Sequence, residues 1–158
     1  MIPRHSLIYM QKDILQKIEH YCAYQERCHL EVERKLSELG IYGDAILPYI
    51  AHLLEHNFLN EERFTSLFVQ SKFNQKKWGR VRLKLELQQR QIQGRLIEKA
   101  LKQISTVLYN QTFYQLADKV WETSTETNLW KKKKKTADYL SRKGYEFERI
   151  QAFLNDKD

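Results

Sequence analysis

The sequence predicts an all-α protein made of three tandem three-helix repeats forming an elongated, curved stack. Two observations carry that expectation. The first is a scarcity of chain breakers: 158 residues include 5 Gly and 2 Pro, together roughly 4% where an average chain carries about 12%. That is too few turn residues for a many-stranded sandwich or barrel. The second is an internal recurrence, the sign of a repeat architecture. The apolar frame through Leu36, Ile41, Ile46 and Ile50 returns as Leu87, Ile92, Ile97 and Leu101, and again as Leu140, Tyr145, Ile150 and Leu154. Each copy reads as a helix, a connector holding one inward apolar residue, and a second helix whose apolar residues fall four apart.

Ahead of each pair there is length for one more helix. In the first repeat, residues 13–57, Ile14, Leu15, Ile18, Tyr21 and Cys22 supply its stripe. Pro48 constrains the last helix of that repeat, since proline fits a helix start and not its middle. That helix should begin near Asp44 or Ala45 and end near Asn57, which tolerates the left-handed cap conformation. Its core stripe should use Ile50, Leu53 and Leu54.

In the second repeat, residues 58–106, Asn60 is placed as an N-cap, Glu61 and Glu62 suit the first turn, and Phe64, Leu67 and Phe68 form the stripe. Residues 81–87 alternate apolar and polar side chains as a half-buried strand would. Their Leu, Lys, Arg and Glu content favours helix, however, and the counterpart at 33–39 does not alternate. Helix is therefore expected, with Leu83 and Leu87 on one face and Leu85 on the far side, exposed or packed on a neighbouring unit. In the third repeat, residues 107–158 including a short C-terminal tail, Phe113, Leu116, Val120 and Trp121 form the first stripe. Residues 1–12 read as a tail. Their apolar run, Leu7, Ile8, Tyr9 and Met10, is too short for a signal peptide or a membrane span, so the protein is expected to be cytoplasmic and soluble.

An excess of 27 Lys+Arg over 20 Asp+Glu gives a formal charge of +7, with 42% apolar and 12% aromatic residues. The apolar fraction suffices for a core and argues against disorder. Basicity with a core suits an acidic partner, either nucleic acid or an acidic protein face. Cys22 and Cys28 are six apart, which matches neither a redox pair nor a zinc-ribbon half. On one helix they would lie roughly 120° apart, as ordinary, partly buried thiols.

The string His52, Leu53, Leu54, Glu55, His56 matches the HxxEH pattern of one class of zinc peptidases. Two histidines at i, i+4 can grip zinc, but no third ligand is singled out, so no metal or cofactor is expected. Phosphate loops, Ser-His-Asp arrangements and paired carboxylates are not visible in the sequence either. Non-catalytic function is the expectation.

Two basic clusters stand out. One holds Lys72, Lys76, Lys77, Arg80, Arg82 and Lys84, with Phe73 and Trp78 interleaved. The other is the unbroken run Lys131, Lys132, Lys133, Lys134 and Lys135 beside Trp130. By the repeat alignment that run falls in the N-terminal half of a helix, where the macrodipole disfavours cations by roughly 0.3–1 kcal/mol each, and neighbouring like charges add to the cost. Two readings stand: a solvated lysine face, or a surface that an anion relieves.

Residues 60–71 and 77–92 resemble the central signature of the RecX family: an Asn-acid-x-Arg-Phe start ending in Arg63 and Phe64, then Phe68 and Val69, then Trp78 and Gly79, then Arg82, Glu86 and Leu87. The segment 139–145, continuing to Ile150, is similar to the family's third repeat, and the likeness covers about residues 13–155. Lys77, Arg80 and Gln91 depart from it, standing where Gly, Pro and Gly are common. The resemblance implies three tandem three-helix repeats and a cytoplasmic, non-enzymatic modulator of the RecA recombinase, acting in recombination, DNA repair and the SOS response. Family members bind the RecA filament and limit its growth; some also bind DNA. It makes the two clusters, with Trp78 and Trp130 as anchors, the expected contact residues of a monomer on a RecA filament. Arg63 and Glu86 match family positions with a structural or a functional role left open. The alternative is a basic DNA-binding helical module acting without RecA.

Overall fold

The apolar residues of the first stripe recur at i, i+4 and i+8, and the chain there is helical: α1 (Lys12–Tyr24) buries Ile14, Ile18 and Cys22. The structure, a computed structural model, describes residues 10–158; among these there are nine α-helices and one 3-10 turn, with no strand. The expected tail lies outside the described residues up to position 9. Met10 packs on the core of the first unit, and the Gln11 N–H donates to the Tyr49 hydroxyl at 2.9 Å.

By its contacts the chain divides into two compact units, one comprising residues up to 67 with 90–92, the other residues 68–89 with 93–158. The first unit holds α1, α2 (His29–Glu38), a 3-10 turn (Gly43–Ile46), α3 (Leu47–Glu55) and the start of α4 (Glu61–Lys76). Its core joins Ile14, Ile18, Cys22, Val32, Leu36, Ile41, Tyr49, Leu53 and Leu59, large side chains contributing about 1.5–3 kcal/mol each on burial. The first turn of α2 is closed from two sides: the Glu31 carboxylate accepts from the Cys28 N–H, and the Glu61 carboxylate accepts from the His29 N–H.

Several expectations for this unit change. The two cysteines do not share a helix: Cys22 is on α1 and Cys28 precedes α2, and both are fully buried rather than partly so. Burial pushes the Cys22 thiol up to about 11 and raises Cys28 as well. The last helix begins later than Asp44. A tighter 3-10 turn, closed by Ala45 N–H to Tyr42 O, occupies 43–46, and α3 starts where Pro48 no longer needs to donate. Asn57 takes the left-handed conformation as expected, with φ 62°. Leu53 is buried whereas Leu54 is 45% exposed, because Tyr49 and Leu53, one turn apart, are the residues that face the core. Leu67 is likewise exposed, while Thr65 and Val69 are buried. Helix α4 changes unit just after Leu67, so its apolar residues serve two cores and do not form one stripe.

The second unit comprises the rest of α4, then α5 (Arg80–Gln89), α6 (Gly94–Lys102), α7 (Thr106–Thr123), α8 (Leu129–Lys143) and α9 (Phe147–Asn155). Residues 81–87 are helical, with Leu83 and Leu87 fully buried and Leu85 55% exposed. An aromatic layer forms the centre: Tyr109 stacks on Phe73 at 5.9 Å and meets Tyr145 at 5.5 Å, and Phe113 meets Tyr145 at 5.1 Å and Phe153 edge-on. Leu116, Val120 and Trp121 are only half-buried; Tyr109, Thr112, Phe113 and Ala117 are the buried residues of α7.

The recurrence survives in three dimensions and extends to positions that do not look alike. Val32, Leu83 and Thr136 are equivalent and all buried, as are Tyr49, Ala100 and Phe153. Thr136 fits an apolar column because its hydroxyl donates to the Lys132 carbonyl one turn back. A residue just past the end of each middle helix is left-handed in every copy: Gly40 (φ 91°), Gln91 (φ 59°) and Gly144 (φ 98°). Lys77 is also left-handed, at φ 59°. Two of the three departures from the family pattern thus fall where the backbone takes a conformation natural to glycine.

Candidate functional site

Helix α5 opens without a capping side chain from the preceding connector. Its first N–H groups need acceptors, and they find them at the end of α8: Gly79 N–H donates to Lys143 O at 2.8 Å and Val81 N–H to Gly144 O at 2.9 Å. Backbones come this close because neither glycine has a side chain. A Cβ on Gly79 would fall on the Gly144 carbonyl, and one on Gly144 would fall on Arg82. Tyr145 completes the junction by donating its hydroxyl to the Lys77 carbonyl at 2.8 Å.

This junction assembles the first basic cluster. The Arg82 guanidinium lies 4.1 Å from the centre of the Trp78 ring, and the Lys72 ammonium is 5.4 Å from it, distances at which cations are attracted to the ring. Arg82 also donates to the Arg142 carbonyl, and Lys143 donates to the Lys76 carbonyl at 2.9 Å. Burial, then the charges of Arg82 and Lys76, lower the Lys143 pKa. Lys72, Lys76, Lys77, Trp78 and Arg82 are thus joined by Arg142 and Lys143, which sequence reasoning missed. Those two lie sixty residues away in the chain, and the only linear hint was the pair of glycines.

Arg80 and Lys84 do not join this surface. The Arg80 guanidinium sits 3.8 Å over Tyr109 and pairs with Glu146 at 3.6 Å, and Lys84 pairs with Glu98 at 3.3 Å. Arg80 thus braces the aromatic layer, together with the Tyr109 hydroxyl, which accepts from the Arg80 N–H and donates to Glu146.

The lysine run occupies the first half of α8, capped by Asn128, whose side chain accepts from the Lys131 N–H. Lys132 lies 4.3 Å over Trp121, Lys134 pairs with Asp138 and Lys135 with Glu126, both at 3.0 Å. The Lys135 ammonium, helped by the Asn128 N–H, holds the Glu126 carboxyl below its ordinary range. Lys131 and Lys133 stand outside these contacts, and Trp130 is 70% exposed. At 1.5 Å per residue the run lies about 12–18 Å along α8 from Lys143, so the two clusters occupy opposite ends of one helix.

His52 is held by Glu19, 3.0 Å from its Nε2, and its ring rests 4.3 Å from that of His56. Among the described residues no three ligating side chains gather to hold a metal. Arg63 clamps the turn ahead of α4, donating to Glu26 and to both oxygens of Asn57, a structural task. Glu86 is half-buried on α5.

Fold and surface together define an all-helical repeat protein whose conspicuous feature is a cationic surface studded with aromatic rings. Family models agree in detail. The model for the RecX second three-helix domain matches residues 60–101 and that for the RecX third three-helix domain matches 109–154, and the chain belongs to the RecX family. It is 28% identical over 120 residues to the regulatory protein RecX of Clostridium perfringens, covering 75% of this chain and 56% of that one. It is 26% identical over 147 residues to the regulatory protein RecX of Bacillus cytotoxicus, covering 93% and 54%. The crystal structure of RecX from Lactobacillus salivarius superposes with a TM-score of 0.75 at 25% identity, covering 92% of this chain and 97% of that one. The chain spans about half the length of the curated relatives it matches.

Proposed function

We propose that this chain is a non-catalytic regulator that binds the RecA recombinase filament and limits its extension, and with it the recombinase and coprotease activities. Membership in a family whose relatives bear the name regulatory protein supports this reading. The observation that carries it is the cluster around Trp78, where cations from α4 and α5 lie over the ring and Lys143 at the end of α8 reaches the neighbouring Lys76 carbonyl. Such a surface suits an assembly presenting both acidic protein and phosphate. In this reading the units are residues 13–57, 58–106 and 107–158, and the protein works as a cytoplasmic monomer. Lys72, Lys76, Lys77, Trp78, Arg82, Arg142 and Lys143 form one contact, and Trp130 with Lys131, Lys132, Lys133, Lys134 and Lys135 forms another. Arg80 and Lys84 hold the scaffold. Repeats that touch mainly their neighbours offer broad surface without a catalytic pocket. Among the described residues no helix is long and apolar enough to cross a membrane.

The test adds the protein to assembling and to preformed RecA filaments at matched salt and follows ATP hydrolysis and strand exchange. Inhibition of assembly is expected, and no effect on either filament would refute the proposal. Replacing all five lysines at 131–135 by glutamine should weaken inhibition with helical content unchanged; undiminished inhibition would return the run to a solvated face. The exposed Lys131 and Trp130, with Lys133 beside them, favour a second reading, direct DNA binding without RecA. Duplex affinity would then fall by roughly 0.9 log units per log unit of salt for each phosphate neutralised, with RecA activity untouched.

A further inference from the structure

The first unit carries a surface that the filament reading does not use. Helix α1 turns Ile14, Ile18 and Cys22 inward, and the residues beside that stripe at 13, 17, 20, 21 and 24 form an adjoining face. Together with Arg27 from the connector and Lys35 and Leu39 at the end of α2, they line an open cavity of about 700 Å³, the size of a small-ligand or peptide site. Its apolar surface comes from Tyr21, Tyr24 and Leu39, and Tyr24 is 77% exposed, unusual for so large a ring beside a groove. Lys17, Arg27 and Lys35 supply the rim, opposed within the lining by a single carboxylate, Asp13.

The chemistry of this groove selects its occupant. The Arg27 guanidinium lies 3.7 Å over the Tyr21 ring, with its Nε donating to the Tyr21 carbonyl. One face of Tyr21 is therefore taken, which disfavours a nucleobase stacking there, while the guanidinium is fixed on the rim with its Nη groups still to offer. Leu39 and the volume of the cavity suit a branched or aromatic side chain better than a flat base. Lys35 pairs with Glu38 at 3.4 Å, but Glu38 is 69% exposed, and such a surface pair is readily exchanged for another carboxylate.

We propose that this groove docks an acidic linear peptide segment. A bulky apolar side chain enters between Tyr21, Tyr24 and Leu39, and flanking carboxylates meet Lys17, Arg27 and Lys35. The docking is independent of the filament reading, and its failure would leave that reading standing.

The test pans a phage-displayed library of random dodecapeptides against the full chain, with no recombinase present, and measures the selected peptides by fluorescence anisotropy. Enrichment of sequences with a large apolar residue among aspartates and glutamates is expected. Affinity should fall about tenfold or more in Tyr24→Ser and in a Lys17→Glu, Lys35→Glu double variant, and hold in Lys35→Arg. Circular dichroism guards against unfolding, which substitutions at these surface positions should not cause. A short oligothymidylate, titrated in parallel, distinguishes a nucleic-acid occupant. The proposal is overturned if nothing enriches, if the enriched peptides are neutral or basic, if they bind both variants as tightly as the parent, or if only the oligothymidylate loses affinity in the variants.

Discussion

The glycine contact between α5 and α8 predicts three substitutions of graded cost. Gly40 and Gly144 are both left-handed, at φ 91° and 98°, but a Cβ on Gly40 meets nothing within 4 Å, whereas one on Gly144 falls on Arg82. Gly79 has no left-handed strain to relieve, yet its Cβ would strike the Gly144 carbonyl. Gly40→Ala therefore carries conformational strain alone, about 1–2 kcal/mol. Gly79→Ala carries overpacking alone, about 1–3 kcal/mol, with a weakened hydrogen bond to Lys143 adding about 1 kcal/mol. Gly144→Ala carries both, about 2–5 kcal/mol. At about 2–4 °C per kcal/mol for a chain of this length, Gly40→Ala should lower Tm by about 2–8 °C and Gly144→Ala by about 4–20 °C. Thermal and urea unfolding followed by far-ultraviolet circular dichroism provide the assay, with each variant read on the transition of the unit that contains it. The reasoning fails if Gly144→Ala costs no more than Gly40→Ala, or if Gly79→Ala is neutral.

Alkaline pH should unfold the second unit. Burial, reinforced by Glu146, holds the Tyr109 and Tyr145 hydroxyls above the ordinary tyrosine value, so the folded state keeps protons that the unfolded chain releases near pH 10; stability is intact below about pH 10 and declines above it. Tyrosinate absorbance should show two groups titrating late and together with loss of helix, and early, independent titration of both would contradict the assignment. Gln91→Gly, which puts glycine where Gly40 and Gly144 already stand, should stabilise by about 0.5–1 kcal/mol; a lower urea midpoint would show that the Gln91 side chain matters more than its backbone.

The helical class and the repeat were legible because burial imposes a regular demand: Leu36, Leu87 and Leu140 keep the same residue type at the most buried position of the middle helix. Tyr49, Ala100 and Phe153 share a buried column without sharing chemistry, and only the fold reveals them as equivalents. Local energetics hid the 3-10 turn at 43–46, since Pro48 marks a start without saying how the chain approaches it. The basic surface was half legible. A cluster read along the chain cannot tell Arg82, which frames Trp78, from Arg80, two residues earlier, which turns in against Tyr109 and Glu146. Nor can it bring in Arg142 and Lys143, whose arrival depends on a tertiary contact between two glycines.

That contact also sets an order of events during synthesis. The Gly79 and Val81 amides at the start of α5 have their acceptors at Lys143 and Gly144, so when α5 leaves the ribosome those acceptors have not yet been made. Until residue 144 emerges, the Gly79 and Val81 amides can be satisfied only by water, Arg80 alone having its acceptor in the earlier Tyr109, and the aromatic layer lacks Tyr145. The second unit thus completes its folding only after Gly144 and Tyr145 have emerged, and truncation before Gly144 should leave α5 frayed at its start whatever the intrinsic helicity of its sequence.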